Sequence, residues 1–478
     1  MNTKLPISQH PDNPHYFLFR GQPTILITSA EHYGAVINMD FDYIPYLDAL
    51  HAKDLNYTRI YTGAYLEKDG DYMPNNTLGP RSGRQIVPWA RSSVPGYALG
   101  GNKYDLDQWD PAYFARLRDF IFQAGMRDII VEICLFNGQY IERWPYSPLY
   151  HLNNIQGVGT CDYKQVQSLV DQALVARQDD YIRKIIQEVN DFDNVILEVV
   201  DEPSVGGTPP ADYRPWVEHL LDVISSTESN LPNKHLIAQM QESKKDSLGD
   251  FADHPQVTLI VAQYVYISNS QGAMQALDYE YEHNKPIEYN ETAYYPIWYK
   301  GDKIASSRVE GWEFIVGGGA GFNHLNGLFT ILDPAGKTSE NEKILTGLQN
   351  LKNFMYSFEF VRMHQDVNFI KDGMPAGAYT RGSSEPGKQY AFYIHHSDGG
   401  EKSTNPEDST KYIVKPGTYQ ENLQLDIAAG SYQAEWIDPA SGKMVHTEQF
   451  THNGGIRSFT TPVYSIDIAL RIESKAKI

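Results

Sequence analysis

The chain has 478 residues, 41% hydrophobic and 21% charged, which excludes a disordered protein and exceeds what one ordinary core holds. A formal net charge of −20 opposes polyanionic partners, so no nucleic-acid partner is expected. Two cysteines, Cys134 and Cys161, exclude a disulfide framework, and no apolar run reaches the ~18 residues that a membrane-crossing helix needs.

The opening MNTKLPISQHPDNPHYF has no apolar stretch of signal-peptide type. The expectation is a cytoplasmic chain, or a secreted or periplasmic one if a leader has been removed. HYFLFRGQPTILI predicts two short strands around a Gly-Gln-Pro turn, the second entering the core. TSAEHYG then presents Glu31 and His32 at a strand end. FDYIPYLDALHAKDL has helical spacing at Ile44, Leu47 and Leu50, and NYTRIYTGAY resumes as a strand carrying Arg59. Residues 68–105, rich in Gly, Pro and Asn, show no periodicity and predict a long loop.

WDPAYFARLRDFIFQAGMRD predicts a helix. Asp110 can cap it, Pro111 fits its first turn, and Tyr113, Leu117, Phe120, Ile121 and Ala124 share one face. The strand IIVEICLF, with Cys134 as an apolar filler, ends at Asn137-Gly138. An irregular segment with Trp144 leads to a helix ending near Asn190, with Tyr181, Ile182, Ile185, Ile186 and Val189 on one side. Trp89 and Trp144 stand in the two long loops, suited either to a stacking platform or to core packing. Loops at 68–105 and 137–160 would wall off one side of a pocket and favour action at chain ends.

NVILEVVDEP, Asn194 to Pro203, is the stretch on which the rest turns. Its β-branched run predicts a strand buried on both faces, ending in Asp201, Glu202 and a proline that stops the ladder. The alternation then continues through WVEHLLDVISS (helix), HLIAQM and VTLIVAQYVY (strands) and MQALDYEYEHN (helix). KPIEYNE is a strand ending in Glu291, RVEGWEFIVGGGA is helical, GFNHLNGLF is a strand, and NEKILTGLQNLKNFMYSF is helical. Eight strand-then-helix units over roughly 350 residues predict a closed (β/α)8 TIM barrel at residues 12–364, with a doubly wound open sheet as the alternative. No glycine-rich phosphate fingerprint follows the first strand. From residue 365 period-two runs dominate, among them Tyr390, Phe392, Ile394 and Tyr432, Ala434, Trp436. They predict a small antiparallel β-sandwich at 365–478, with Trp436 in its core.

Glu202 and Glu291 are 89 residues apart, about three βα units. In a barrel both would stand on one rim and face each other, the arrangement glycoside hydrolysis needs. Two unrelated acids at strand ends remain the plain alternative. Glu288 lies deeper in its strand, and Glu198, mid-strand, suits an internal partner for Arg59. The histidines lack ligand spacing, so no metal is expected, and no cofactor.

The series LNYTRI, ILEVVDEP, VAQYVY and KPIEYNETA resembles retaining glycoside hydrolases of clan A, the superfamily of cellulases and mannanases. The resemblance implies Glu202 as acid/base, Glu291 as nucleophile, Arg59 and Tyr266 as residues that orient the nucleophile, and a carbohydrate substrate. The Phe-Arg-Gly-Gln-Pro turn, GWEFIVGGGAGF and AEWIDPASGK look most like the apiosidase-like branch, with its appended C-terminal β domain. One departure is Asp201, where the clan has an asparagine donating to the sugar 2-hydroxyl. An ionised aspartate only accepts, and it would raise the pKa of Glu202 by repulsion. Asp201, His32, Asn137, Tyr264, Trp298 and His324 are expected to touch substrate; Glu31, Gln263 and Asn326 also lie at strand ends. The expected function is retaining hydrolysis of an O-glycosidic bond in a plant or microbial oligo- or polysaccharide, the alternative a non-catalytic carbohydrate-binding barrel. A barrel lyase or aldolase would want a Schiff-base lysine or metal cluster, and neither is visible at these strand ends.

Overall fold

The structure is a computed structural model that describes residues 5–29, 33–71, 75–241, 248–263, 272–293, 301–398 and 412–475. Eight parallel strands form one sheet: β1 (Leu26–Thr28), β2 (Tyr57–Tyr61), β3 (Ile130–Asn137), β4 (Val195–Asp201), β5 (Leu236–Met240), β6 (Leu259–Ala262), β7 (Ile287–Ala293) and β8 (Gly321–Leu325). They pair in chain order from β2 to β8, and β8 pairs with β1. Closure between β1 and β2 falls to the buried Asn56. Its carboxamide gives Nδ2 to the Ile25 carbonyl at 3.0 Å and takes the Ile27 N–H at 3.1 Å, standing in for a peptide of the ladder. The result is a (β/α)8 TIM barrel. Every residue of β2, β3, β4 and β5 is buried, as expected of strands covered on both faces.

Among the described residues seven helices cover the sheet: α1 (Tyr43–Ala52), α2 (Pro111–Gly125), α3 (Gln172–Val189), α4 (Pro210–Ser229), α5 (Gly272–Glu280), α6 (Lys303–Val316) and α7 (Ser339–Tyr356). Asp42 and Asp110 cap α1 and α2 through their side chains, and Pro111 opens α2. Between β5 and β6 no helix occurs among the described residues. The long loop expected at 68–105 is also corrected. Strands Trp89–Pro95 and Asn102–Trp109 form an antiparallel hairpin, tied to the 145–160 segment by the Tyr104 N–H on the Asn153 carbonyl at 2.8 Å. Trp89 and Trp144 are core residues, packed on Tyr181 and Tyr150 respectively, and neither forms an exposed platform. No described helix is long and apolar enough to cross a membrane.

The C-terminal part holds β9 (Ala378–Glu385), β10 (Gln389–His396), β11 (Asn422–Ile427), β12 (Gly430–Asp438), β13 (Lys443–His452), β14 (Gly455–Thr460) and β15 (Asp467–Ser474). A six-stranded antiparallel sheet runs His364–Gln365, β9, β10, β15, β12, β13; a three-stranded one runs Ile370–Asp372, β11, β14. Tyr390, Phe392, Leu423, Leu425 and Trp436 fill the core between them. β10 is buried throughout because its other face, Ala391 and Tyr393, joins the barrel core. The element it meets is α6, buried at every position from Ala305 to Val316. Trp312 stacks on Tyr393 with centroids 5.5 Å apart, and Arg308 grips Asp467 through two bonds of 3.0 and 2.8 Å.

Arg308 and Asp467 are both buried, so removing one partner strands the other charge in the protein interior. Asp467→Ala is expected to lower unfolding stability by about 3–5 kcal/mol in urea denaturation. The double replacement Arg308→Met/Asp467→Leu should recover most of that loss. A single-variant effect below about 1 kcal/mol would show the pair to be a surface-type contact.

Candidate active site

Both predicted glutamates stand at the C-terminal rim, and each breaks the regular strand. Glu202 follows the last residue of β4 with φ +46°, and Glu291 has φ +55°. Left-handed backbone at a non-glycine residue is strained, and such strain concentrates at functional positions. In β7 the register with β8 advances from Tyr289↔Phe322 to Thr292↔His324, three residues against two. That bulge contains Glu291 and turns its side chain out of the pleat. Gly138 completes the bend at Glu202. Its N–H binds the Asp201 carbonyl at 2.8 Å, and a Cβ there would lie 2.0 Å from the Glu202 carbonyl oxygen.

The two carboxyl groups meet on one amide. Gln263 Nε2 donates to Glu202 Oε1 at 3.0 Å and to Glu291 Oε2. Two ordinary hydrogen bonds diverging from one nitrogen put their acceptors roughly 5 Å apart. Glu202 also accepts from the Tyr140 hydroxyl at 3.2 Å, and its own N–H rests on the Met240 sulfur at 3.1 Å. Both glutamates and Tyr140 are partly exposed, while Gln263 and Met240 are buried.

Beneath them lies an ionic floor. Arg59, fully buried, binds Glu198 through Nε and Nη2 at 2.8 and 2.7 Å, Asp201 at 2.9 Å and the Tyr33 hydroxyl at 3.0 Å. The Asp201 carboxylate is sealed from solvent and accepts further from the Tyr61 hydroxyl and from Asn137 Nδ2 at 3.1 Å. Asn137 also donates to the Tyr61 oxygen at 2.6 Å. Burial raises the Tyr61 pKa well above its ordinary value, helped by the charges of Asp201 and Glu291. Deeper still, Tyr57 lies between Glu132 and Glu288, 2.7 Å from the latter. Burial pushes Glu132 well up and Glu288 to about 7, so both hold protons in acid.

The structure therefore gathers Arg59, Asn137, Asp201, Glu202 and Glu291 at the C-terminal end of the barrel. His324 stands next to the end of β8, buried, with Nδ1 2.8 Å from the Ser29 hydroxyl. Glu31, His32, Tyr264, Tyr266 and Trp298 lie outside the described residues. Tyr61, Tyr140 and the bridging role of Gln263 were not anticipated. For Tyr61 a signal existed: it stands two residues after Arg59, hence on the same strand face.

No family model matches the sequence, and no curated protein does. Solved structures do. A glycoside hydrolase family 5 protein from Bacteroides vulgatus, 13% identical, superposes with a TM-score of 0.62 over 100% of this chain and 95% of its own. A second glycoside hydrolase, also 13% identical with a TM-score of 0.62, covers 99% of this chain and 98% of its own. The fold is shared with solved glycoside hydrolases. The likeness spans the C-terminal sheets as well as the barrel.

The buried acids give a pH prediction. An unfolded glutamate loses its proton near 4.5, whereas folded Glu288 keeps it to about 7. Between those values the folded state binds more protons than the unfolded one, so stability falls as pH rises. The share of Glu288 is about 3 kcal/mol. Unfolding free energies of the parent should decline from pH 5 to 7.5, and Glu288→Gln should flatten that decline. An identical slope in the variant would contradict the assignment.

Proposed function

We propose that the protein is a retaining glycoside hydrolase that cleaves an O-glycosidic bond of a plant or microbial oligo- or polysaccharide. The observation that carries this is the pairing of Glu202 and Glu291 on one Gln263 amide. One amide nitrogen shared by an oxygen of each carboxyl keeps those two oxygens within roughly 5 Å of each other, which suits a nucleophile that reaches the anomeric carbon itself; inversion needs about 6.5–9.5 Å between the groups to hold a water. The solved glycoside hydrolases that share the fold add support.

In the first step a Glu291 oxygen attacks the anomeric carbon while the bond to the leaving oxygen breaks, and that oxygen takes the proton of Glu202. In the second step the Glu202 carboxylate takes a proton from water. The water oxygen displaces Glu291 and frees the sugar. Arg59 is proposed to support the nucleophile together with Tyr266, working from beneath through Asp201 and Tyr61. Asp201, with its carboxylate committed to Arg59, Tyr61 and Asn137, contributes through those partners rather than as the usual 2-hydroxyl donor. Contacts to sugar from His32, Asn137, Tyr264, Trp298 and His324 belong to the same proposal. The apiosidase-like branch is the finer assignment, and the hairpin packed on the 145–160 segment favours a pocket closed on one side.

The test is kinetic. On a panel of aryl glycosides, Glu202→Ala and Glu291→Ala should each lose about 10²- to 10⁴-fold in kcat relative to the parent. With an activated phenolate leaving group, Glu202→Ala should regain bond cleavage but stall at release of the sugar. A parent as inactive as both variants across the panel would favour a carbohydrate-binding barrel instead.

A further inference from the structure

Gln263 stands just past the end of β6, 1% exposed, with its Nε2 shared between Glu202 and Glu291. A primary amide nitrogen carries two hydrogens, and each glutamate takes one. The orientation follows from the partners, because the opposite flip would aim an oxygen at two acceptors. Among the described residues its own oxygen has no partner.

We infer that Gln263 is a positioning residue of the double displacement proposed above: a neutral, two-hydrogen bridge that sets the gap between acid/base and nucleophile and stays bonded to both through every step. Neutrality is the point. A lysine or arginine in this place would hold Glu202 ionised, which a general acid cannot be. The amide donates most strongly to a carboxylate and keeps a weaker bond to the carbonyl oxygen of a protonated carboxyl or of an ester at Glu291. It therefore needs no rearrangement when the proton leaves Glu202, when the sugar joins Glu291, or when either reverses. Water in the same place would have to reorient at each stage.

Other groups face the pair. Glu202 also meets Tyr140 and the Met240 sulfur, and Glu291 lies near Tyr61. Asp201 and Arg59 stand behind them as an ion pair. Among these groups Gln263 is the one that donates to both carboxyls at once. A donor to a carboxylate favours its ionised form, so removing the bridge should raise both titrations together.

Gln263→Leu keeps the size and removes the donors; Gln263→Glu keeps the shape and adds a third acid. Melting curves establish that each variant folds. Carboxyl titrations followed by carbon NMR of labelled glutamate, assigned with Glu202→Gln and Glu291→Gln, read the bridge without any substrate. Gln263→Leu should move both titrations upward by about one pH unit, and Gln263→Glu should move them further. On an aryl glycoside the Leu variant should lose about 10²-fold in kcat with KM little changed. Both limbs of its pH–rate profile should shift upward. Either carboxyl titrating as in the parent would overturn the inference, as would a fall in kcat with unmoved limbs. If both carboxyls shift but the parent cleaves no glycoside, the bridge stands and the hydrolase assignment falls.

Discussion

A guanidinium sealed inside the barrel is the constraint on which the site depends. Arg59 cannot be buried alone, because an unpaired interior charge is far costlier than a paired one. It is satisfied by Glu198 and Asp201, both on β4, so it reaches past β3 and fixes the end of that strand. Once Asp201 is held by Arg59, Tyr61 and Asn137, the next residue has little choice of direction. Glu202 turns over the rim with positive φ, and Gly138 supplies the room its carbonyl needs. An aspartate at position 201 thus has a structural reason, since an acceptor suits three donors and an asparagine would offer its own.

Glu291 arrives by a different route to the same geometry. A one-residue bulge in β7 re-aims it, again with positive φ. Two strained residues on different strands, meeting on a single amide, concentrate backbone cost where two carboxyl groups must converge. The floor below is quieter. Burial raises Glu132 well above the usual carboxylate range and Glu288 to about 7, so in acid the interior beneath the site carries less negative charge than its composition suggests.

Much of this was legible in residues 194–203. The β-branched run, the paired acids and the proline predict a buried parallel strand with Glu202 at its end, and KPIEYNE does the same for Glu291. The cap at Asp110 and the helical faces of α2 and α3 followed from local chemistry. The hairpin at Trp89–Trp109 did not, since its strands are irregularly paired and only Trp89, Tyr104 and Leu106 are buried, too few to mark two strands. The role of Gln263 was illegible for another reason. A glutamine at a strand end has no sequence signature for bridging residues 61 and 28 positions away, and only closure of the barrel brings them together. Both-face burial of β10 likewise depends on α6, a partner from the other domain.

The central claim is that Glu202 and Glu291 act on opposite sides of one glycosidic bond with Glu291 as nucleophile. The most direct measurement is anomer-resolved proton NMR of the first product formed, during a screen of plant and bacterial oligosaccharides. The account predicts a product whose anomeric configuration matches that of the cleaved bond before mutarotation sets in. A product of opposite configuration would contradict it, because a water would then have attacked in place of Glu291.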